Sequence, residues 1–172
     1  HLLYPGRYRL TFDAARFFPF MVAVLLLTPV QAATEELLFR GYIMQGLGVL
    51  TRRVAVIAIV SSLLFGAVHL WNPEVERYGL AVMAAAYFMS GLMFATIALR
   101  DGRLELAIGL HAINNIFTAL IANNEGSVLQ TSSIFTSPLD PVFSLVGLVF
   151  TTIAFHWWMF DRPGAKKAIE PA

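Results

Sequence analysis

Long apolar stretches separated by short polar breaks constrain this chain more than any other feature. Four of them have bilayer length: Val54 to Leu70, Leu80 to Leu99, Leu104 to Ala122 and Pro141 to Phe160. A membrane-crossing helix needs about 20 apolar residues, within a range of about 17–25. A fifth region, Phe17 to Leu50, carries no charge outside the run EELLFR, Glu35 to Arg40. As one helix it would run roughly 51 Å at about 1.5 Å per residue, well beyond a hydrocarbon core of ~30 Å. Proline removes a helix hydrogen bond and clashes with the preceding turn. Pro29 therefore predicts a break, with helices over about 17–33 and 34–50, or one sharply bent helix. The expected fold is all-α: a polytopic transmembrane helical bundle with about six membrane helices. The chain opens on His1 rather than Met, so the expectation leaves room for further helices upstream.

Composition excludes several classes. Hydrophobic residues make up 58% and charged residues 13%, against about 45–50% and about 25% in soluble domains. A net charge of +1 without a basic patch gives no footing for nucleic acid. With no cysteine, disulfides and thiolate chemistry are excluded. The polar breaks give an orientation if the four clear stretches each cross once. Arg52 and Arg53, Arg100 and Arg103, then Arg162, Lys166 and Lys167 fall on one side, and Glu74, Glu76, Glu125 and Asp140 on the other, with Arg77. The positive-inside rule puts the arginine turns and the C-terminus in the cytoplasm. The aromatic run FHWWMF, Phe155 to Phe160, reads as an interfacial belt. Ala84, Ala85, Ala86, Ser90, Gly91 and Ala95 read as small-residue packing, as do Gly41, Gly46 and Gly48.

Against this lipid-suited background three polar clusters stand out. Ionisable groups at membrane depth are costly and face a bundle interior or a wet cavity. In EELLFR, Glu36 and Arg40 are spaced i, i+4 and can pair on one face. Glu35 projects about 100° away and has no cationic partner on its own helix, which suits it to general-base work. In FGAVHL, Phe65 and His69 share a face; in HAINN, His111 and Asn115 do, with Asn114 turned away. A histidine can move a proton, and a carboxamide can donate to a developing oxyanion. Together these parts can activate water and hold a tetrahedral intermediate.

Blander readings compete. A lone membrane histidine is often a helix–helix hydrogen bond, and for His69 alone that reading is as good as the chemical one. For Glu36 and Arg40 a helix-locking charge pair is the better reading. His156, among the interfacial aromatics, reads as structural. A zinc site from Glu35, His69 and His111 is the rival chemistry. It lacks HExxH or any ligand pair at that spacing, so no metal or other cofactor is expected.

The three clusters resemble the CPBP family of intramembrane proteases, also called the CAAX protease and bacteriocin-processing or Abi family. That family shows EExxxR, FxxxH and HxxxN on successive membrane helices. Here they read EELLFR, FGAVH and HAINN, complete and in order. The resemblance implies a glutamic, metal-independent intramembrane endopeptidase. Residues 1–160 are expected to form one helical catalytic domain, and the polar end of the chain, 161–172, a disordered cytoplasmic tail. Glu35 and His69 would activate the attacking water. His111 and Asn115 would stabilise the oxyanion, with Glu36 and Arg40 in support. The substrate would be a membrane-associated peptide or protein, and the location a bacterial inner membrane. A proton-coupled transporter and a non-catalytic scaffold are the alternatives.

Helix arithmetic resists this constellation. At about 1.5 Å per residue, Glu35 lies ~26 Å from Arg52 and His69 ~24 Å from Arg53, but His111 only ~12 Å from Arg103. Either the helices tilt strongly, or the segment before His111 starts deep, with Gly102 and Gly109 permitting an irregular start. The second is expected.

Overall fold

The structure, a computed structural model, describes residues 8–129 and 132–163. Its long elements are helices. α1 (Ala14–Glu36) runs through a π-helical turn (Leu37–Ile43) into α2 (Met44–Leu50). α3 (Val54–Val68) ends in a 3₁₀ turn, His69–Trp71, followed by the short α4 (Pro73–Tyr78). α5 (Leu80–Asp101), α6 (Glu105–Leu120) and α7 (Pro141–His156) complete the bundle, and α7 continues as a π turn to Asp161. Among the described residues four helical runs are long and apolar enough to cross a membrane: Ala14–Leu50, Val54–Trp71, Leu80–Asp101 and Pro141–Asp161. α6, with 16 residues, packs among them. The protein is an all-α polytopic helical bundle.

The expected break at Pro29 is absent: Pro19 and Pro29 both lie inside α1. The irregularity falls instead on the motif, where the helix loosens to π pitch over LLFRGYI. Such turns shift the phase of the helix before them against the helix after them, and they recur at functional sites. Because the first region is one helix, its N-terminal end lies with Arg77 rather than with the arginine turns. Arg9 and Arg77 both bond Glu125.

Packing sets the depth of each helix. α3 and α5 run antiparallel, with Ile57 and Ala58 against Ala95, and His69 against Tyr87. Between those levels a Cβ on Gly91 would lie 3.1 Å from Ser62 Cα, and one on Gly66 3.3 Å from the Phe88 nitrogen. Small residues let these backbones meet, as α5's composition predicts. Gly46, by contrast, has nothing within 4 Å and serves no close contact. Met44 joins Ile57, Ala58 and Ala95 in one apolar cluster, while Phe94, Ile97, Ala107 and Phe160 form a second. Phe17 and Val24 pack on Ala119 and Leu120, which sets α1 antiparallel to α6.

One end of the bundle carries the α2–α3 and α5–α6 turns and the end of α7, where Arg100 Nη1 donates to Asp161 Oδ2 over 2.9 Å. The other is capped by a small sheet ordered β1 (Arg9–Leu10), β3 (Phe135–Ser137), β2 (Ala122–Asn124). β1 pairs antiparallel to β3 and β2 parallel to it. Tyr78 of α4 donates its hydroxyl to the Glu125 carbonyl (2.6 Å), and the Val128 amide donates to Glu74 (2.9 Å). These short strands and α4 have no counterpart in the sequence reading, because two or three residues give no periodicity to detect. The expected tail falls mostly on residues 164–172, outside the described residues.

Candidate active site

The interior polar cluster begins with Glu36 and Arg40, whose side chains are 0% exposed. Arg40 Nη1 donates to Glu36 Oε1 over 3.0 Å, and Nη2 donates to the Gly91 carbonyl over 2.7 Å. The guanidinium carbon lies 4.6 Å from the Phe65 ring centroid and 5.5 Å from that of Phe94. Aromatic faces attract a cation, more so where water is excluded. Arg40 thus ties α1, α3 and α5 together.

His111, on α6, joins the same network. Its Nδ1 lies 2.8 Å from Glu36 Oε1 and its ring stacks on Phe94 at 4.7 Å and 15°. A carboxylate can only accept, so His111 Nδ1 carries a proton and, in the neutral ring, Nε2 holds the lone pair. His69 is fixed the same way: Nδ1 donates to the Phe65 carbonyl at 2.7 Å, and the ring lies 4.4 Å from Phe65 and 5.2 Å from Tyr87. Both imidazoles therefore aim Nε2 outward from their anchors.

They aim at Glu35. Its Oε2 lies 3.8 Å from His69 Nε2 and 3.8 Å from His111 Nε2, beyond direct hydrogen bonding in both cases. Its Oε1 accepts from Gln31 Nε2 at 3.0 Å. Neighbouring carboxylates thus meet opposite nitrogens of one ring: Glu36 at Nδ1, Glu35 at Nε2. Asn115 borders the same cavity, its Oδ1 accepting from Asn114 Nδ2 at 3.2 Å, which leaves its own amide protons free to donate. Asn114, expected to turn away, also reaches the cavity. The cavity measures about 690 Å³ and also takes in Asn72, Glu74 and Tyr87. Among the described residues no group of three His, Cys, Asp or Glu is arranged to hold a metal ion.

All six residues singled out in the motifs are thus brought together. The irregular start expected before His111 does not occur: α6 starts as a regular helix at Glu105, just after Gly102 in the left-handed conformation (φ 71°). The depth conflict resolves through unequal hairpins. The α5–α6 turn lies nearer the site than the α2–α3 turn does, since Phe94 of α5 already stacks on His111. His156 stays outside the cluster and bonds the Thr152 carbonyl at 2.9 Å. Sequence reasoning missed Gln31 and Phe94, and read Gly91 only as a packing residue and not as the acceptor for Arg40. Gln31 was detectable from its i, i+4 spacing to Glu35; the other two act through interhelical contacts that leave no trace in local spacing.

Comparison with known proteins gives the class. The sequence profile of the type II CAAX prenyl endopeptidase Rce1-like family matches residues 16–117, more than half of the chain and all three motifs. The protein belongs to that family. It is similar to the uncharacterized protein YyaK of Bacillus subtilis (strain 168), at 32% identity over 174 residues. That match covers 96% of this chain and 57% of YyaK, so the chain spans little more than half the length of this relative. No solved structure matches it.

Proposed function

We propose that this protein is a membrane endopeptidase that hydrolyses a peptide bond with water activated by Glu35 and His69. The observation that carries the reading is the 3.8 Å spacing of Glu35 Oε2 from both His69 Nε2 and His111 Nε2. Polar atoms at that separation are bridged well by one small polar molecule. A water there donates one proton toward Glu35 and the other toward His69, and turns an oxygen lone pair on the scissile carbonyl. Attack moves a proton to Glu35 and leaves an oxyanion. His111, entering as imidazolium, donates from Nε2 to that oxyanion, joined by the Asn115 amide. Glu36, on the far nitrogen, orients the ring and balances its charge, as the aspartate does in a serine-protease triad. Collapse expels the amine, which takes the proton held on Glu35.

No metal takes part in this reading. The substrate is a membrane-associated peptide or protein, the setting a bacterial cytoplasmic membrane, and the C-terminus faces the cytoplasm. The test compares protein termini by mass spectrometry in cells carrying the wild type or Glu35→Gln. Termini made by the wild type should fall about 10²–10⁴-fold in the variant, the range for loss of a general base. They should persist in membranes treated with chelator. Wild-type cleavage by Glu35→Gln would refute the general-base role.

A further inference from the structure

We infer that the cavity opens on the extracytoplasmic face, so that the protein acts on polypeptide segments presented on the outer side of the membrane. That it acts on such segments rests on the peptidase reading; the access route rests on the direction of the cavity and the distribution of Lys and Arg.

The first observation is which way the cavity extends. Its deepest walls are Phe39, Phe94 and His111. From that level every other lining residue lies toward the sheet-capped end. On α3 and the segment after it the lining runs from Phe65 through His69 to Asn72 and Glu74; on α6 it runs from His111 to Ala119. It ends in the loop after α6, at Asn123 and Ser127 to Leu129. None of α2, the first half of α3, the last turns of α5 or the start of α6 contributes. That half of the bundle is filled by the two apolar clusters, Met44 with Ile57, Ala58 and Ala95, and Phe94 with Ile97, Ala107 and Phe160. Water and substrate therefore have a polar path toward the cap and an apolar plug toward the arginine turns.

The second observation is independent of the cavity and concerns charge. The plugged end carries Arg52, Arg53, Arg100, Arg103 and Arg162, and the sequence adds Lys166 and Lys167 just beyond. The capped end carries Arg9, Arg16 and Arg77, with Arg7 just before them. Ion pairs occur at both ends, Arg9 and Arg77 with Glu125 and Arg16 with Asp13 at the capped end, Arg100 with Asp161 at the plugged end, so the comparison rests on the Lys and Arg counts alone. Lys and Arg counts in short loops set orientation, and here they favour the plugged end as cytoplasmic. Acidic residues occur at both ends, Glu74, Glu76, Glu125 and Asp140 at the capped end and Asp101, Glu105 and Asp161 at the plugged end, and they contribute little to orientation. The two observations together place the mouth outside.

The absence of cysteine makes the test direct. Val128→Cys places a thiol on the exposed cavity-lining loop, and Arg103→Cys places one at the α5–α6 turn. Each full-length variant is expressed in Bacillus subtilis and exposed to a membrane-impermeant maleimide, before and after lysis. Both thiols should react after lysis. In intact cells Val128→Cys should react to completion and Arg103→Cys less than a tenth as much. Protection of Val128→Cys in intact cells, or reaction of Arg103→Cys there, would overturn the inference. Thr118→Cys, deeper in the same cavity, should react with a small impermeant methanethiosulfonate from outside; its protection there would equally count against the inference. Labelling needs no turnover, so this result and the fate of Glu35→Gln are read separately.

Discussion

Glu35 and Glu36 are adjacent in sequence and occupy opposite kinds of surroundings. Around Glu36 every polar distance is short: 3.0 Å to Arg40, 2.8 Å to His111, and 2.7 Å from Arg40 on to Gly91. Around Glu35 the two imidazole distances are 3.8 Å, and the side chain keeps 21% of its surface open. A buried ion pair is held only where hydrogen bonds meet its remaining needs; here Glu36 Oε1 and both Arg40 Nη atoms are bonded, while Glu36 Oε2 and Arg40 Nε have no hydrogen-bond partner among the described residues. The Glu35 region leaves its partners just out of reach of one another, which is the spacing a reacting molecule requires. In the proposed mechanism Glu35 faces the reacting water and Glu36 builds the scaffold behind it, and the π turn that follows them changes the helix phase between this pair and α2.

The contrast breaks most visibly at Arg40. Arg40→Ala leaves Glu36 buried without its guanidinium partner, and breaking a buried pair costs about 3–5 kcal/mol. Thermal unfolding in detergent should show a large drop in Tm. Replacing both partners, Glu36→Gln with Arg40→Met, should recover part of that loss, because no uncompensated charge remains. If Arg40→Ala unfolds at the wild-type temperature, the Glu36 region is not the scaffold described here.

A smaller effect is expected at Gly91, which lends its carbonyl to Arg40 and lets α5 close on α3. In Gly91→Ala the new Cβ meets Ser62 Cα and O at 3.1 Å and Phe65 Cδ1 at 3.2 Å. Overpacking of this kind costs about 1–3 kcal/mol, opposed by up to about 1 kcal/mol of improved helix propensity. The net loss should be about 1–2 kcal/mol in equilibrium unfolding. Gly46→Ala is the control: nothing lies within 4 Å, so it should be neutral or slightly stabilising. Equal effects at the two glycines would show that the α3–α5 approach is not tight.

Much of this was legible in the sequence, for reasons that differ by residue. The apolar runs fix the helices because lipid leaves no other way to satisfy the backbone across a membrane. The cost of polar groups in that setting makes Glu35, Glu36, Arg40, His69, His111 and Asn115 conspicuous; Glu35, His69, His111 and Asn115 line one cavity, and Glu36 and Arg40 are buried behind it. What failed was local. Pro29 looked like a break, yet the helix continues through it, because neighbouring groups in a packed bundle can take over a lost hydrogen bond. The π turn was invisible, since the run LLFRGYI has no Gly–Pro break or other local signal that sets it apart from α-helix. The link from Glu36 to His111 joins residues 75 positions apart, and helix phase alone could assign Glu36 only to Arg40.

The finest test of the comparison lies on the Glu35 side, at Gln31. Its amide donates to Glu35 Oε1 over 3.0 Å across one helical turn. This holds the carboxylate so that Oε2, not Oε1, faces the imidazoles. Gln31→Met keeps the length of the side chain and removes the donor. A single hydrogen bond contributes about 0.5–1.5 kcal/mol, so kcat should fall roughly 2–12-fold. KM and Tm should stay as in the wild type, because the side chain is exposed to the cavity and supports no packing. A purely structural role would lower Tm, and a substrate-binding role would raise KM. Only a role in aiming Glu35 moves kcat alone, and an unchanged kcat would mean that the carboxylate is held by its own helix without help.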